Sequence, residues 1–549
     1  MAAFALGGVI AVAVAGFVWS RRRRTSPWGA ALVAAAVPVC VYVTLALALT
    51  SAEIKPSREQ DPFDTARLTP SVALAMGHDV YSTRTEGAVQ TTMYPPMWVV
   101  SYLPVAVMDT PSGVLRVGIA LTLLFAVLPA VLLFVKGSSS IGLGLLGSTS
   151  FFLVATSMSS LAYSLFKPHA DAPGLGFAML ACALILRGGE PTARRLLGVG
   201  VLAWLSVLSK QVMFPILLAL PLWFLLVHGR RACARLVGWM CAAGAGLMAL
   251  LTLFFRPEGV VFNCLIIPAR APWELEQYPR VVATVLAGAE LAVHSIPLVL
   301  LLTAGAVLSV AVEPPARPSA TGLRPFLAGH GWALPALVAL TMIPVSIAGR
   351  VKVGGYVNTF SPTTYFLLAA GILAAIGIPE GLKDKGDPSG LQFSLGLLAL
   401  CSLVLAGGGG ARIPFLATDF PPSEHPTQRA YDFLTREDPD AFFPSHPLAH
   451  LLAGGSLFHF GPALYDREEL ARMPLPSRQR QSHFPAAPSR VCWDRGEEWM
   501  RGRYFTEYTR RIEVRSLESA WECYARQPPG LTTLIEKGRF EVVTVSRPE

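Results

Sequence analysis

The chain has 549 residues, is 53% hydrophobic and only 15% charged, and carries a formal net charge of +9; its mean hydropathy is +0.49. A soluble globular protein is about a quarter charged, so this balance excludes one and points to a polytopic α-helical membrane protein. Apolar runs of roughly 18–25 residues argue against a β-barrel, and no basic, aromatic-interleaved patch suggests nucleic acid.

In chain order, the first apolar run, Ala2 to Ser20, ends in Arg21–Arg24. No basic stretch precedes it, so it reads as a retained span with the arginines inside. Trp28 to Thr50 then crosses outward. The loop that follows, 51–114, opens with "EQDPFDTARLTPSVALAMGHDVY" and is expected outside. Asp61 suits an N-cap ahead of Pro62, and Asp64 suits a helix first turn. A break at Thr69-Pro70, closed by Gly77, predicts two short helices here. The proline-broken "MYPPMWVVSYLPVAVM", Met93 to Met108, is too short to span. It is placed as an interfacial or re-entrant helix with Trp98 and Tyr102 at headgroup level.

Further spans are expected over Arg116–Val135, Ile141–Tyr163 and Ala172–Leu186. Leu196–Val227 is long enough for two helices around an outer turn at Lys210 and Gln211. Leu236–Phe255, Leu291–Val312, Trp332–Ala348, Thr363–Ile378 and Leu391–Leu405 follow. The total is about twelve spans, organised as a multi-span domain over 1–406 and an extracytoplasmic C-terminal domain over 407–549. Basic loops at Arg194–Arg195, Arg230–Arg235 and Lys383–Lys385 fall on the inner side with Arg21–Arg24. Five cysteines lie in or beside apolar runs; Cys492 and Cys523 are in the polar tail and are candidates for a disulfide if that tail faces an oxidising space.

The walk gathers Asp61, Asp64, Lys167, His169, Asp171, Lys210, Gln211, Arg350, Lys352 and Asn358 on the outer face. Each has an ordinary reading. Asp171 suits an N-cap, Lys210 can snorkel at a helix end, and "GGYVN" suits a turn. Together they suit a site, because ionisable groups at membrane edges line cavities, substrate paths or each other.

In order, "FDTARLTPSVALAMGHDVY", "MYPPMW", "FKPHADAPGLGFAML", "LSVLSKQVMFPILLAL" and "KVGGYVNTFSP" resemble the GT-C superfamily of membrane glycosyltransferases, which includes protein O-mannosyltransferases and aminoarabinose transferases. The resemblance covers roughly Glu53 to Phe366. It implies transfer of a sugar from a polyprenyl-phosphate donor to a glycan, lipid or protein acceptor, with inversion, at the outer face of the plasma (inner) membrane. It implies Asp64 as base, with Asp61 as the alternate because the family's Asp-Glu pattern is here Asp-Pro-Phe-Asp. It implies Asp171 as a second acid and Lys167, Lys210, Gln211, Arg350, Lys352 and Asn358 around the donor phosphate. Tyr81, Tyr94, Pro95 and Pro96 are expected along the substrate groove. Metal dependence is left open, with Asp171 and His169 the candidates for a divalent cation. The alternatives are a secondary transporter and a polysaccharide ligase or polymerase of the cell envelope.

Overall fold

The computed structural model describes residues 63–138, 141–186, 191–273, 280–312, 322–352, 355–383, 425–494, 499–512, 514 and 521–526. Asp61, the two expected spans before it, the span at 391–405 and the expected boundary at 407 lie outside these residues.

Helix α1, Phe63–Ala75, is one helix and not the expected two. Pro70 has no N–H, which strips the Ala66 carbonyl of its intrahelical donor. The Thr91 hydroxyl donates to that carbonyl at 3.1 Å instead, so the helix runs through the proline. Gly77, at φ +84, ends it in the left-handed region, and the His78 N–H reaches back to the Ala73 carbonyl. A five-residue helix, α2 (Met97–Ser101), and a 3-10 turn over Leu103–Val107 follow. Here the expectation fails: Trp98 and Tyr102 are buried, and Tyr102 Oη lies 2.8 Å from Thr122 Oγ1 on the next helix. Rings that find apolar packing inside the protein, and for Tyr102 a hydrogen bond too, do not sit at the headgroups.

The apolar elements are α3 (Pro111–Gly137), α4 (Ile141–Ser157), α5 (Ser159–Phe166), α6 (Asp171–Ile185), α7 (Ala193–Ser209), α8 (Ile216–His228), α9 (Arg230–Leu251), α10 (Arg280–Val312), α11 (Ala333–Val351) and α12 (Ser361–Lys383). Thr110 caps α3, accepting from the Gly113 N–H, with Pro111 at the first helical position. The turn between α7 and α8 falls at Lys210–Phe214, where the sequence places it. Two boundaries differ. The expected span 141–163 is divided at Met158, and α10 begins at Arg280, well before Leu291.

Among the described residues, six helical stretches are long and apolar enough to cross a membrane. The stretch Val357–Gly377 is 94% buried and is the centre of the bundle; those in α9 and α10 are only 22% buried. Val281, Val285, Val293 and Leu300 of α10 are exposed. Such an apolar surface suits lipid and not water.

The C-terminal segment contains α13 (Pro426–Arg436), α14 (Pro447–Gly454) and a three-stranded antiparallel sheet. The strands are β1 (Arg490–Asp494), β2 (Arg510–Ile512) and β3 (Trp521–Ala525), in the order β1-β3-β2. Cys492 and Cys523 pair across β1 and β3, and their sulfurs are bonded. This segment shares its cores with the loop after α1. Ala66 and Val89 pack with Phe442, Phe460 and Trp493, and Leu68 and Trp98 with Leu448 and Leu451.

Candidate active site

Two clusters of charge meet at the end of the bundle that carries α1. The first is built on α1. Asp64, 7% exposed, lies 3.3 Å from Arg67 Nη1 one turn on and 3.4 Å from Lys167 Nζ in the α5–α6 loop. Arg67 donates through Nη2 to Tyr163 Oη at 2.7 Å. An i,i+3 pair shares a helix face, so Arg67 follows from the helical spacing once Asp64 is chosen.

The second cluster surrounds Asp171, the first residue of α6. Among the described residues its carboxylate accepts from side chains and not from a backbone N–H. Oδ1 takes the Lys210 ammonium in an ion pair. Oδ2 accepts from Asn358 Nδ2 at 2.9 Å and Ser164 Oγ at 3.1 Å, and lies 2.8 Å from His169 Nδ1. Lys210 is 5% exposed. A buried carboxylate is tolerable only when paired and hydrogen-bonded, and here it is both.

Burial pulls the His169 imidazole from 6.5 down to about 4, against the opposing pull of Asp171, so it is neutral near pH 7. An unprotonated Nδ1 facing a carboxylate oxygen at 2.8 Å would oppose two lone pairs. The Asp171 N–H also approaches Nδ1, at 3.3 Å, but the carboxylate is closer, so we assign the proton to Nδ1, donating to Asp171. Nε2 then accepts from Tyr94 Oη at 3.2 Å. Burial raises the Tyr94 phenol above its ordinary value, which keeps that donor protonated. Tyr94 also places its ring 5.4 Å from Lys210 Nζ.

Tyr163 joins the clusters. It accepts from Arg67 and packs its ring on His169 at 5.8 Å and on the exposed Tyr356 at 5.6 Å. Tyr163, Ser164 and Arg67 had not been singled out from sequence.

Other candidates fall elsewhere. Arg350 Nε donates to Glu290 at 2.8 Å and Nη1 to the Gly355 carbonyl at 2.9 Å. Lys352 Nζ donates to the Pro268 and Ala271 carbonyls and lies over the Trp273 ring. Both brace loops. Gln211 Nε2 donates to the Met93 carbonyl at 3.0 Å. Tyr81, Pro95 and Pro96 are buried; Tyr81 Oη donates to the Tyr94 carbonyl at 2.6 Å and so holds Tyr94 in place. Only Tyr94 of that set faces the clusters.

Asp171 and His169 engage each other and their neighbours in this arrangement. Both Asp171 oxygens are engaged, one by an ammonium. Among the described residues no group of three or more His, Cys, Asp or Glu side chains could hold a metal ion.

The architecture has counterparts. A crystal structure of ArnT from Cupriavidus metallidurans in the apo state, an aminoarabinose transferase of the GT-C superfamily, covers 90% of this chain and 98% of its own, at TM-score 0.50 and 14% identity. The chain shares the fold of that structure. The same protein bound to undecaprenyl phosphate covers 89% and 98%, at TM-score 0.48 and 13% identity. The archaeal oligosaccharyltransferase AglB from Archaeoglobus fulgidus, in complex with an inhibitory peptide and a dolichol-phosphate, covers 90% and 75%, at TM-score 0.42 and 14% identity. No protein-family model matches the chain, and comparison with curated protein sequences finds no match. Six stretches of the described residues are long and apolar enough to cross a membrane, as a multi-pass membrane protein requires.

Proposed function

We propose that the chain is a glycosyltransferase that moves a sugar from a polyprenyl phosphate to an acceptor hydroxyl, with inversion, at the extracytoplasmic face of the plasma membrane. About twelve spans and an extracytoplasmic C-terminal segment complete this reading. ArnT holds undecaprenyl phosphate in one of its crystal structures. For this chain the support is local. The observation that carries it is a carboxylate, Asp64, beside two cations, Arg67 and Lys167, on a GT-C fold.

The chemistry asks for that set. As the acceptor oxygen bonds to the sugar's anomeric carbon, its proton passes to a base, and Asp64 is the more accessible of the two acids. The bond from that carbon to the phosphate oxygen breaks, and its electron pair stays on the phosphate. Charge grows there, and Arg67 and Lys167 are placed to meet it. The Asp171 cluster is the more deeply buried of the two, with Asp171 1% and Lys210 5% exposed. Its role is positioning: it fixes the 167–171 turn that presents Lys167. The lipid tail lies along exposed apolar helix faces. Direct displacement from the opposite side inverts the anomeric centre.

The test is the purified full-length chain assayed against a panel of polyprenyl-phosphate sugars. Transfer from one of them supports the reading. Folded protein that transfers from none of them, with lipid, glycan and peptide acceptors present, sinks it.

A further inference from the structure

Asp64, the proposed base, has Phe63 and Thr65 as its neighbours in sequence, and the C-terminal segment holds both. The Phe63 ring meets the Phe460 ring edge-on, with centroids 5.7 Å apart. Thr65 Oγ1 lies 2.6 Å from Thr427 Oγ1, in the first turn of α13. Thr427 is itself fixed. Its backbone N–H donates to His425 Nδ1 at 3.2 Å, and its hydroxyl lies 3.0 Å from His446 Nδ1. The other nitrogen of the His446 ring, Nε2, takes the Trp521 indole N–H at 3.2 Å. Trp521 is the first residue of β3 and packs in one apolar cluster with Cys492 and Cys523.

This series of hydrogen bonds has a direction. An indole N–H can only donate, so His446 Nε2 accepts and carries no proton. Nδ1 then bears the proton of the ring and donates to Thr427 Oγ1. Thr65, Thr427, His446 and Trp521 are all buried, so breaking one link leaves a polar atom short of a partner and away from water. Successive residues of a helix point about 100° apart. Thr65 is therefore tied to Thr427 on one face of α1 while the Asp64 carboxylate meets Arg67 and Lys167 on another. Apolar side chains at 65 and 427 would fill the same space but could slide. Two hydroxyls that must meet admit one rotation of α1 about its axis, and that rotation decides where the carboxylate stands.

We propose that Thr427, His446 and Trp521 are positioning residues for Asp64, and that their hydrogen-bond series sets the rotation of α1 and with it the place of the base. The hold on α1 stands on the geometry; its effect on catalysis rests on the transferase reading.

The experiment compares the full-length chain in a neutral detergent with its Thr427→Val and Thr427→Ser variants. Valine keeps the shape and removes the hydroxyl; serine keeps the hydroxyl. Hydrogen exchange read by mass spectrometry follows α1. Exchange there should rise roughly 10-fold in Thr427→Val, the scale of one buried hydrogen bond, and return to the parent's rate in Thr427→Ser. In a transfer assay normalised to folded protein, Thr427→Val should lower kcat by roughly 10-fold to 100-fold, and Thr427→Ser should restore it. Added to Asp64→Asn, Thr427→Val should cost nothing more, because the base whose place it sets is already gone. Unchanged exchange in Thr427→Val overturns the hold on α1 even where transfer is robust. Raised exchange with an undiminished kcat, a kcat that serine does not restore, or an equal loss with and without Asp64→Asn overturns the positioning of the base. Raised exchange in a folded chain that transfers from no donor sinks the transferase reading and leaves the hold on α1 standing.

Discussion

Asp64 and Asp171 are both buried carboxylates, and their partners give them different work. Asp64 has a side chain 10% exposed, beside two cations 13% and 19% exposed; Asp171 has a side chain 0% exposed and a closed ring of donors. Asp64→Asn keeps shape and hydrogen bonding but cannot take a proton. Turnover should fall on the order of 100-fold to 10,000-fold with unchanged membrane abundance. A transfer assay normalised to folded protein checks this; near-full activity would remove Asp64 as the base. Lys210→Met should act on stability instead. It leaves Asp171 buried without its cation, at about 3–5 kcal/mol, and Asp171→Asn on top of it should restore much of the loss. Thermal unfolding of the single and double variants reads this directly. Most of these side chains were legible because a charge in so apolar a chain stands out. Their pairing was not. Lys210 and Asp171 are 39 residues apart, and only the packing of α6 against α7 shows that the lysine expected on a phosphate already has a carboxylate. Tyr163 and Ser164 carry no signal in sequence, since a hydroxyl in an apolar helix reads as ordinary packing.

At the scale of elements, the long apolar helices were readable from run length and loop charge, and the failures have local causes. Pro70 looked like a helix break because the Thr91 hydroxyl that rescues Ala66 lies 25 residues away. The segment 93–108 looked interfacial because nothing in it shows that the C-terminal segment covers it. The turn before α12 shows how an element positions the site. Gly355 donates its N–H to the Lys352 carbonyl at 2.7 Å and is three residues from Asn358. A Cβ there would stand 2.4 Å from the Gly349 carbonyl oxygen and 2.7 Å from those of Arg350 and Lys352. These are backbone atoms and cannot swing aside. Gly355→Ala should therefore move the turn, pull Asn358 off Asp171, and lower transfer by roughly 100-fold, the scale expected for a shift of about 1 Å. Substitution of the exposed Tyr356 by Phe is the control, since Tyr163 contacts its ring. Activity of Gly355→Ala equal to that of the parent would show that the turn does not position the site.

At the scale of the whole molecule, the C-terminal segment is a clamp on the loop that carries α1. Thr65 and Thr427 hydroxyls meet at 2.6 Å, the Phe460 N–H donates to the Val89 carbonyl at 2.9 Å, and Gln479 Nε2 donates to the Glu86 and Gly87 carbonyls. Truncation ahead of residue 425 should leave the helices inserted but expose 80–92 to protease and abolish transfer; limited proteolysis of membranes tests it. Two histidines make the clamp sensitive to acid. His459 Nδ1 accepts the Val89 N–H at 2.9 Å while Nε2 faces the Gln479 carbonyl at 3.2 Å, and His450 Nε2 accepts the Phe443 N–H at 3.0 Å. Burial is the main cause that draws each from 6.5 down to about 3, with His483 and Arg467 adding to it at His459 and His446 at His450. The folded state thus holds both neutral, while the unfolded chain binds protons first as pH falls. Their contribution is fully present above about pH 6.5 and is lost progressively as pH drops towards 3, on the order of a few kcal/mol for each. Protonation also removes the lone pair that accepts the backbone N–H. Thermal unfolding of the purified chain between pH 7 and pH 4 should show the midpoint falling with pH. His459→Asn keeps an acceptor near the Nδ1 position and cannot titrate in this range, so its midpoint should fall less. A variant whose midpoint falls as steeply as the parent's would show that His459 does not set the acid limit of the clamp.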